Sequence, residues 1–268
     1  MKVLFMGRKP YSCKTLEYLL EQQIDVVAVV ALTHETHIYG NKKLVDVAKA
    51  YHIPNINNEI IYQSLKDQEV SPFSFSLTDI DLVISYFYWR KIKQPLINMA
   101  RLGCINFHAS PTPPMRGVCG YSFGIYWDLD YWGVTAHFIG DENFDTGDII
   151  ERVTFPIDLS KETALSLEEK SQPILLDLFK KVVDMAKTDH LPRIPQNEVI
   201  EANYPYNSWE DFEKLKLINT EDSPEEIDRK IRACWFPPYE GATIIIGGKR
   251  YTLLKEELLK EVGTVYRK

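Results

Sequence analysis

Cysteine is scarce and unpaired in this chain: 268 residues hold four, Cys13, Cys104, Cys119 and Cys234, with no C-x-x-C pair among them. That scatter argues against a zinc site and against a disulfide framework, and a reducing cytoplasm is the expected location. A basic excess is also missing. Lys and Arg number 31 against 38 Asp and Glu, which leaves a net charge of −7. Proteins that grip a nucleic-acid backbone show a basic footprint, so no nucleic-acid partner is expected and a tRNA substrate is disfavoured. No apolar run is long enough to span a bilayer, and residues 1–7 (MKVLFMG) read as a short strand rather than a signal peptide, so no membrane partner is expected either. That strand is not followed by G-x-G-x-x-G. Gly7 leads straight into Arg8-Lys9-Pro10, which argues against a dinucleotide cofactor. Repeats and low-complexity tracts are absent as well.

What is present is an ordinary globular composition, 45% hydrophobic and 26% charged. Residues 25–32 form a continuous apolar, β-branched run, the pattern of a strand covered on both faces. Residues 81–87, 102–108 and 133–139 read as further strands. Helical spacing falls at 14–22, 43–51, 94–100 (entered at Pro95), 121–129 and 163–187, with a kink expected at Pro173. Alternating strands and helices predict an α/β fold, a Rossmann-like, doubly wound, mostly parallel sheet. Residues 189–206 carry three Pro and read as a linker. The expected organisation is a catalytic domain over 1–200 and a small C-terminal subdomain over 201–268. The latter holds a helix from Ser223, with Glu226 completing a capping box, and a β-hairpin turning at Gly247-Gly248.

The chemistry concentrates in Asn106-Phe107-His108 and Asp145-Thr146-Gly147-Asp148. An amide and a protonated imidazole stabilise an oxyanion, and a carboxylate orients the imidazole and favours its charged form. Such a set moves an acyl group onto an amine without a metal. Asn106 and His108 lie near the carboxyl end of a predicted strand, where ligands bind in open α/β sheets. Two residues apart, they point to one face.

Residues 103–150 resemble the signature region of the formyltransferases that use 10-formyltetrahydrofolate. That family includes glycinamide ribonucleotide transformylase, methionyl-tRNA formyltransferase and the sugar-nucleotide N-formyltransferases. Four matches stand in order: Asn106-Phe107-His108, the Pro-rich loop ending in Arg116-Gly117, the strand GVTAHF from Gly133 through His137, and Asp145-Thr146-Gly147-Asp148.

The resemblance implies a folate-dependent enzyme with 10-formyltetrahydrofolate as co-substrate. It places the formyl oxygen against Asn106, charge or a proton on His108, and the carboxylate role on Asp145, with Asp148 left to turn structure. It implies folate contacts from Tyr88, Trp89, Arg90, His137 and Asp141, although core packing would equally account for the rings and for His137. Acceptor contacts are expected from Ser110 and Arg116 in the loop. Arg8 and Lys9 are candidates to clamp a diphosphate, or are simply solvated. Trp235 and Tyr239 offer rings for a nucleotide base, or seal the C-terminal hairpin to the main domain. The sequence Ala109-Ser110-Pro111-Thr112-Pro113-Pro114 departs from the loop of the tRNA enzymes. The expected acceptor is a dTDP-linked 3-amino or 4-amino dideoxyhexose of surface-polysaccharide (O-antigen, lipopolysaccharide) biosynthesis, and the exposed hairpin edge suggests a homodimer. Methionyl-tRNA formyltransferase, a binding module without turnover, and a formyltransferase acting on an amino acid or glycinamide nucleotide are the alternatives.

Overall fold

The computed structural model describes residues 1–34, 42–67, 72–199 and 205–265. The domain boundary expected at residue 200 lies outside them. β1 (Lys2–Gly7), α1 (Pro10–Glu21) and β2 (Asp25–Ala31) open the chain. Next come α2 (Leu44–Ala50), α3 (Asn58–Asp67), β3 (Leu82–Tyr86) and β4 (Cys104–His108). They lead to α4 (Gly120–Tyr126), β5 (Tyr131–Phe138), β6 (Ile149–Pro156) and the long α5 (Ala164–Lys187). α6 (Trp209–Lys216), β7 (Leu217–Ile218), α7 (Pro224–Cys234), β8 (Thr243–Ile246), β9 (Lys249–Thr252) and α8 (Glu256–Val265) complete it.

The main sheet has the order β2-β1-β3-β4-β5-β6. The first four strands in that order run parallel, and β5 and β6 add antiparallel strands beyond β4. The fold is thus mixed α/β with a mostly parallel sheet. Side chains alternate between two apolar layers, as the pleat requires. Val3, Phe5, Ile84, Ile105 and Phe107 join α1 and α5 (Leu16, Leu19, Phe179, Val182) on one face. Leu4, Met6, Val83 and Cys104 join Ile61, Leu96 and Ile97 on the other. Burial on both faces is what the uninterrupted apolar runs encode. By the same alternation Asn106 and His108 share the face of Cys104.

A third apolar cluster joins the middle of the chain to its C-terminal part. Phe123, Trp132, Leu159 and Leu167 pack with Leu215, Ile218, Ile231, Trp235, Ala242 and Leu258. The C-terminal elements therefore share a core with α4, β5 and the start of α5. Their sheet has three strands in the order β7-β8-β9, one more than the expected hairpin. Gly247 and Gly248 turn that hairpin with φ of 56° and 78°, the left-handed pair of a type I′ turn.

Some expectations are corrected. The helix expected over 94–100 is a single 3-10 turn, Leu96–Asn98. The chain has to be back at the sheet within a few residues, where Leu102 N donates to Asp81 O at 2.7 Å. Half of the capping box forms: Ser223 Oγ accepts from Glu226 N, while the Glu226 carboxylate sits 3.4 Å from Lys230 Nζ. α5 runs as one helix from Ala164 to Lys187 with Pro173 inside it.

Candidate active site

β4 ends at His108, and β5 returns beside it with Asn106 opposite His137 and His108 opposite Thr135. The turn after β5 then brings Asp145 back over the same edge. Asp145 has φ of 55°, and at Gly147 a Cβ would lie 1.9 Å from Phe138 O, so only glycine fits. The result is a cluster around one carboxylate oxygen. Asn106 Nδ2 donates to Asp145 Oδ1 at 3.2 Å; His137 Nε2 lies 3.3 Å and His108 Nδ1 3.7 Å from that atom. The other oxygen, Oδ2, accepts from Gly117 N at 2.9 Å.

Neighbours fix each group's orientation. Ser85 Oγ donates to Asn106 Oδ1 at 2.8 Å, which turns the amide nitrogen toward Asp145 and His137. His137 Nδ1 sits 2.8 Å from Phe138 O, a pure acceptor, so Nδ1 carries a proton and Nε2 faces the cluster. His108 Nε2 lies 2.8 Å from Met115 O and 2.5 Å from Ser110 Oγ. The carbonyl requires Nε2–H, so Nδ1 is the edge of His108 that faces Asp145. Asp145 is 9% exposed. Burial alone would raise its carboxyl, but the His108 charge, the bond and charge of His137 and the Gly117 N–H together hold it well below the usual carboxylate range. Asp148 points elsewhere, with its carboxylate 3.9 Å from Arg193.

The structure thus brings Asn106, His108 and Asp145 together, and adds His137, expected at the cofactor, to the same cluster: at 1% exposure it backs the carboxylate instead of lining a surface. Ser110 differs from its expected place beside the acceptor. It is 2% exposed and supports the far edge of His108, away from Asp145. Lys9 does not extend into solvent. Its ammonium lies 2.5 Å from buried Glu168 Oε1, and over the rings of Phe87 and Phe236. Arg8 Nε donates to Phe87 O. Arg90 turns to Asn58 and Glu59, away from the cluster, because both offer acceptors on α3. The rings of Tyr88 and Trp89 meet with centroids 4.7 Å apart and planes tilted by 52°, half-buried, with the Tyr88 hydroxyl buried and unbonded. The Asp141 carboxylate is taken up by Asn143 and Thr146, which shapes the turn that carries Asp145. Arg116 has a buried Nε without a partner. Trp235 is 8% exposed and part of the C-terminal core, so it seals rather than stacks; Tyr239 is 62% exposed.

Sequence reasoning missed several neighbours. Asn207 N donates to Arg116 O, and Asn207 O accepts from Val118 N, which pins the Gly117 turn. A Cβ on Gly117, whose φ is +97°, would come within 2.2 Å of Asn207 O. Tyr206 stacks on Phe144 at 6.5 Å, and its phenol is pushed up by burial and by Asp145. Tyr206 ends the segment read as a linker and Asn207 follows it directly, where prolines hide any pattern.

A mostly parallel α/β sheet with an amide, an imidazole and a carboxylate at its carboxyl edge is an arrangement suited to acyl-group transfer. The particular group follows from comparison: a Formyl transferase family model matches residues 1–182. The chain belongs to that family and is an enzyme that transfers formyl groups. It is 27% identical over 267 residues to a protein of Geobacter metallireducens described as methionyl-tRNA formyltransferase, spanning 98% of this chain and 82% of that one. Two solved structures share the fold. An N-formyltransferase of Helicobacter canadensis in complex with folinic acid and dTDP-3-aminofucose aligns with a TM-score of 0.70 at 23% identity, covering 92% of this chain and 85% of that chain. A sugar N-formyltransferase of a Shewanella species aligns with a TM-score of 0.73 at 18% identity, covering 95% and 97%.

Proposed function

We propose that the chain moves a formyl group from 10-formyltetrahydrofolate to the amine of a nucleotide-linked amino-dideoxy sugar, dTDP-3-amino or 4-amino-dideoxyhexose. The observation that carries formyl transfer is the convergence of Asn106 Nδ2 and His108 Nδ1 on Asp145 Oδ1 at 3.2 and 3.7 Å. The acceptor nitrogen attacks the formyl carbon, and the oxygen that gains charge takes hydrogen bonds from Asn106 Nδ2–H and His108 Nδ1–H. Asp145 faces the His108 imidazole and receives the proton leaving the acceptor nitrogen. The intermediate collapses by breaking the bond from carbon to N10, and N10 takes up a proton. One C–N bond forms, one breaks, and no electron is transferred.

For the donor, the folinic acid in the Helicobacter structure supports the reading, and Tyr88 and Trp89 offer rings near the edge where it would lie. For the acceptor, support comes from the sugar N-formyltransferase structures, the net charge of −7 and the Pro-rich loop. A homodimer through the edge strand β9 fits its exposed Tyr251 and the neighbouring Ile246. A cytoplasmic enzyme of surface-polysaccharide synthesis is the setting this chemistry suits. Methionyl-tRNA formyltransferase is the second reading, favoured by the sequence relatives.

The test is formylation with 10-formyltetrahydrofolate against dTDP- and GDP-linked 3-amino and 4-amino dideoxy sugars, with initiator methionyl-tRNA alongside and Asn106→Ala as control. A gain of one formyl group on a sugar nucleotide, lost in the variant, is the expected result. Transfer to the tRNA alone would replace the acceptor and leave the chemistry standing.

A further inference from the structure

The segment after α5 holds a side chain that no motif marks. Ile194 exchanges both backbone hydrogen bonds with Ile149, at 2.8 and 2.9 Å, and so lays the chain along the start of β6. Arg193 clamps the same segment by stacking its guanidinium 3.6 Å over the Phe138 ring. Two residues past Ile194, Gln196 Nε2 donates to Asp145 O at 2.8 Å and to Gly147 O at 2.7 Å. Both acceptors are carbonyls, so the amide nitrogen, with its two hydrogens, is the end that fits.

We infer that Gln196 is a positioning residue for Asp145, fixing the backbone beneath the carboxylate so that its oxygens meet His108 and Gly117. Asp145 needs this support because its φ of 55° lies in the left-handed region, which a non-glycine residue adopts only where its surroundings enforce it. The carboxylate tip is held by Asn106, His108, His137 and Gly117. The carbonyls on either side of that turn are tied down by Gln196. The His108–Asp145 separation of 3.7 Å leaves little slack, since a displacement of about 1 Å at a reacting centre costs about 10²-fold in rate. The segment that closes the main domain thereby sets the geometry of a group contributed by the turn after β5.

The inference rests on the role given to Asp145 above, and the experiment separates the two. Gln196→Met keeps the length of the side chain and removes both donors; Gln196→Ala is read the same way if the first variant lacks a cooperative melt. The ligand-free readout is carboxyl ¹³C NMR of aspartate-labelled protein from pH 3.5 to 8. In the wild type the Asp145 resonance stays ionised across this range. In the Gln196 variant the carboxyl loosens from its donors, burial prevails, and a titration enters the range. With the acceptor found in the panel, kcat falls about 10- to 100-fold while KM values stay near wild type. An unchanged Asp145 titration with an unchanged kcat overturns the positioning role. Asp145→Asn with a wild-type rate overturns the catalytic reading instead, and the titration still decides whether Gln196 positions the carboxylate.

Discussion

Replacing Asp145 by Asn preserves shape and removes charge, and the surroundings dictate how the new amide sits. Gly117 N–H can only donate, so the amide oxygen must face it, as Asp145 Oδ2 does now at 2.9 Å. The NH₂ then faces His137 and His108, whose imidazole nitrogens accept it when neutral, while the bond from Asn106 Nδ2, itself a donor, is lost. The fold survives, but His108 loses the anion that favours its charged form. At 3.7 Å and an effective dielectric of about 20, that attraction has a ceiling of about 4.5 kcal/mol. Each 1.4 kcal/mol or so is tenfold, so kcat should fall by up to about 10³. The assay is steady-state formation of formylated product, with thermal melting run alongside. A rate within about threefold of wild type in a protein that melts normally would refute this account of the site.

On the proposed mechanism Asn106→Ala removes a donor to the developing oxyanion, and it should lower kcat by about 10²–10³ with KM little changed, read in the same assay. Gly117→Ala places a Cβ 2.2 Å from Asn207 O at a φ of +97°, and should cost about 1–3 kcal/mol in urea unfolding together with a loss of kcat. Asp145 is held below the usual carboxylate range, so the unfolded chain binds its proton more readily. Its contribution to stability is therefore fully present above the unfolded value near pH 4 and is lost as pH falls through the lower folded value. Urea midpoints from pH 2.5 to 6 should show this acid loss in wild type and a smaller one in Asp145→Asn. Trp235→Ala should destabilise by about 3–5 kcal/mol without altering the KM of the acceptor, because that ring lies in the C-terminal core.

Strands covered on both faces announce themselves. β2, written DVVAVVA, and β1, with Val3 to Met6 fully buried, show the composition of a parallel sheet, and α5 shows its apolar stripe over 24 residues. Elements with one solvent face were harder to see. β6, IIERVTFP, alternates and ends in Pro, whereas the exposed hairpin of β8 and β9 was legible only through its Gly247-Gly248 turn. α6 has eight residues, mostly charged, so its periodicity is short. α3 begins at Asn58 directly after Pro54, Asn55 and Asn57, which read as turn chemistry. What decides such segments is packing against distant partners: Leu215 and Ile218 find their place only beside Phe123 and Trp132, which lie far off in sequence.

The same distinction separates the parts of the site. Asn106 and His108 were legible because two residues on one strand must share a face, a purely local inference. Ser110 and Lys9 were misplaced because exposure was inferred from polarity alone. Ser110 instead meets a histidine edge, and Lys9 meets a carboxylate, Glu168, whose sequence position is 159 residues away. Gln196 and Asn207 were invisible for a stricter reason. Gln196 works through its donation to two carbonyls, and Asn207 through its own backbone; neither identity nor spacing encodes which carbonyl will be near. Yet both bear on a group the sequence did single out, Gln196 directly and Asn207 through the Gly117 turn. Asp145 takes its charge from β4 and β5 and its backbone geometry from the segment after α5. Substitutions around residue 196 should therefore alter formyl transfer as those at the motif do, although nothing in the local sequence distinguishes that glutamine from a surface residue.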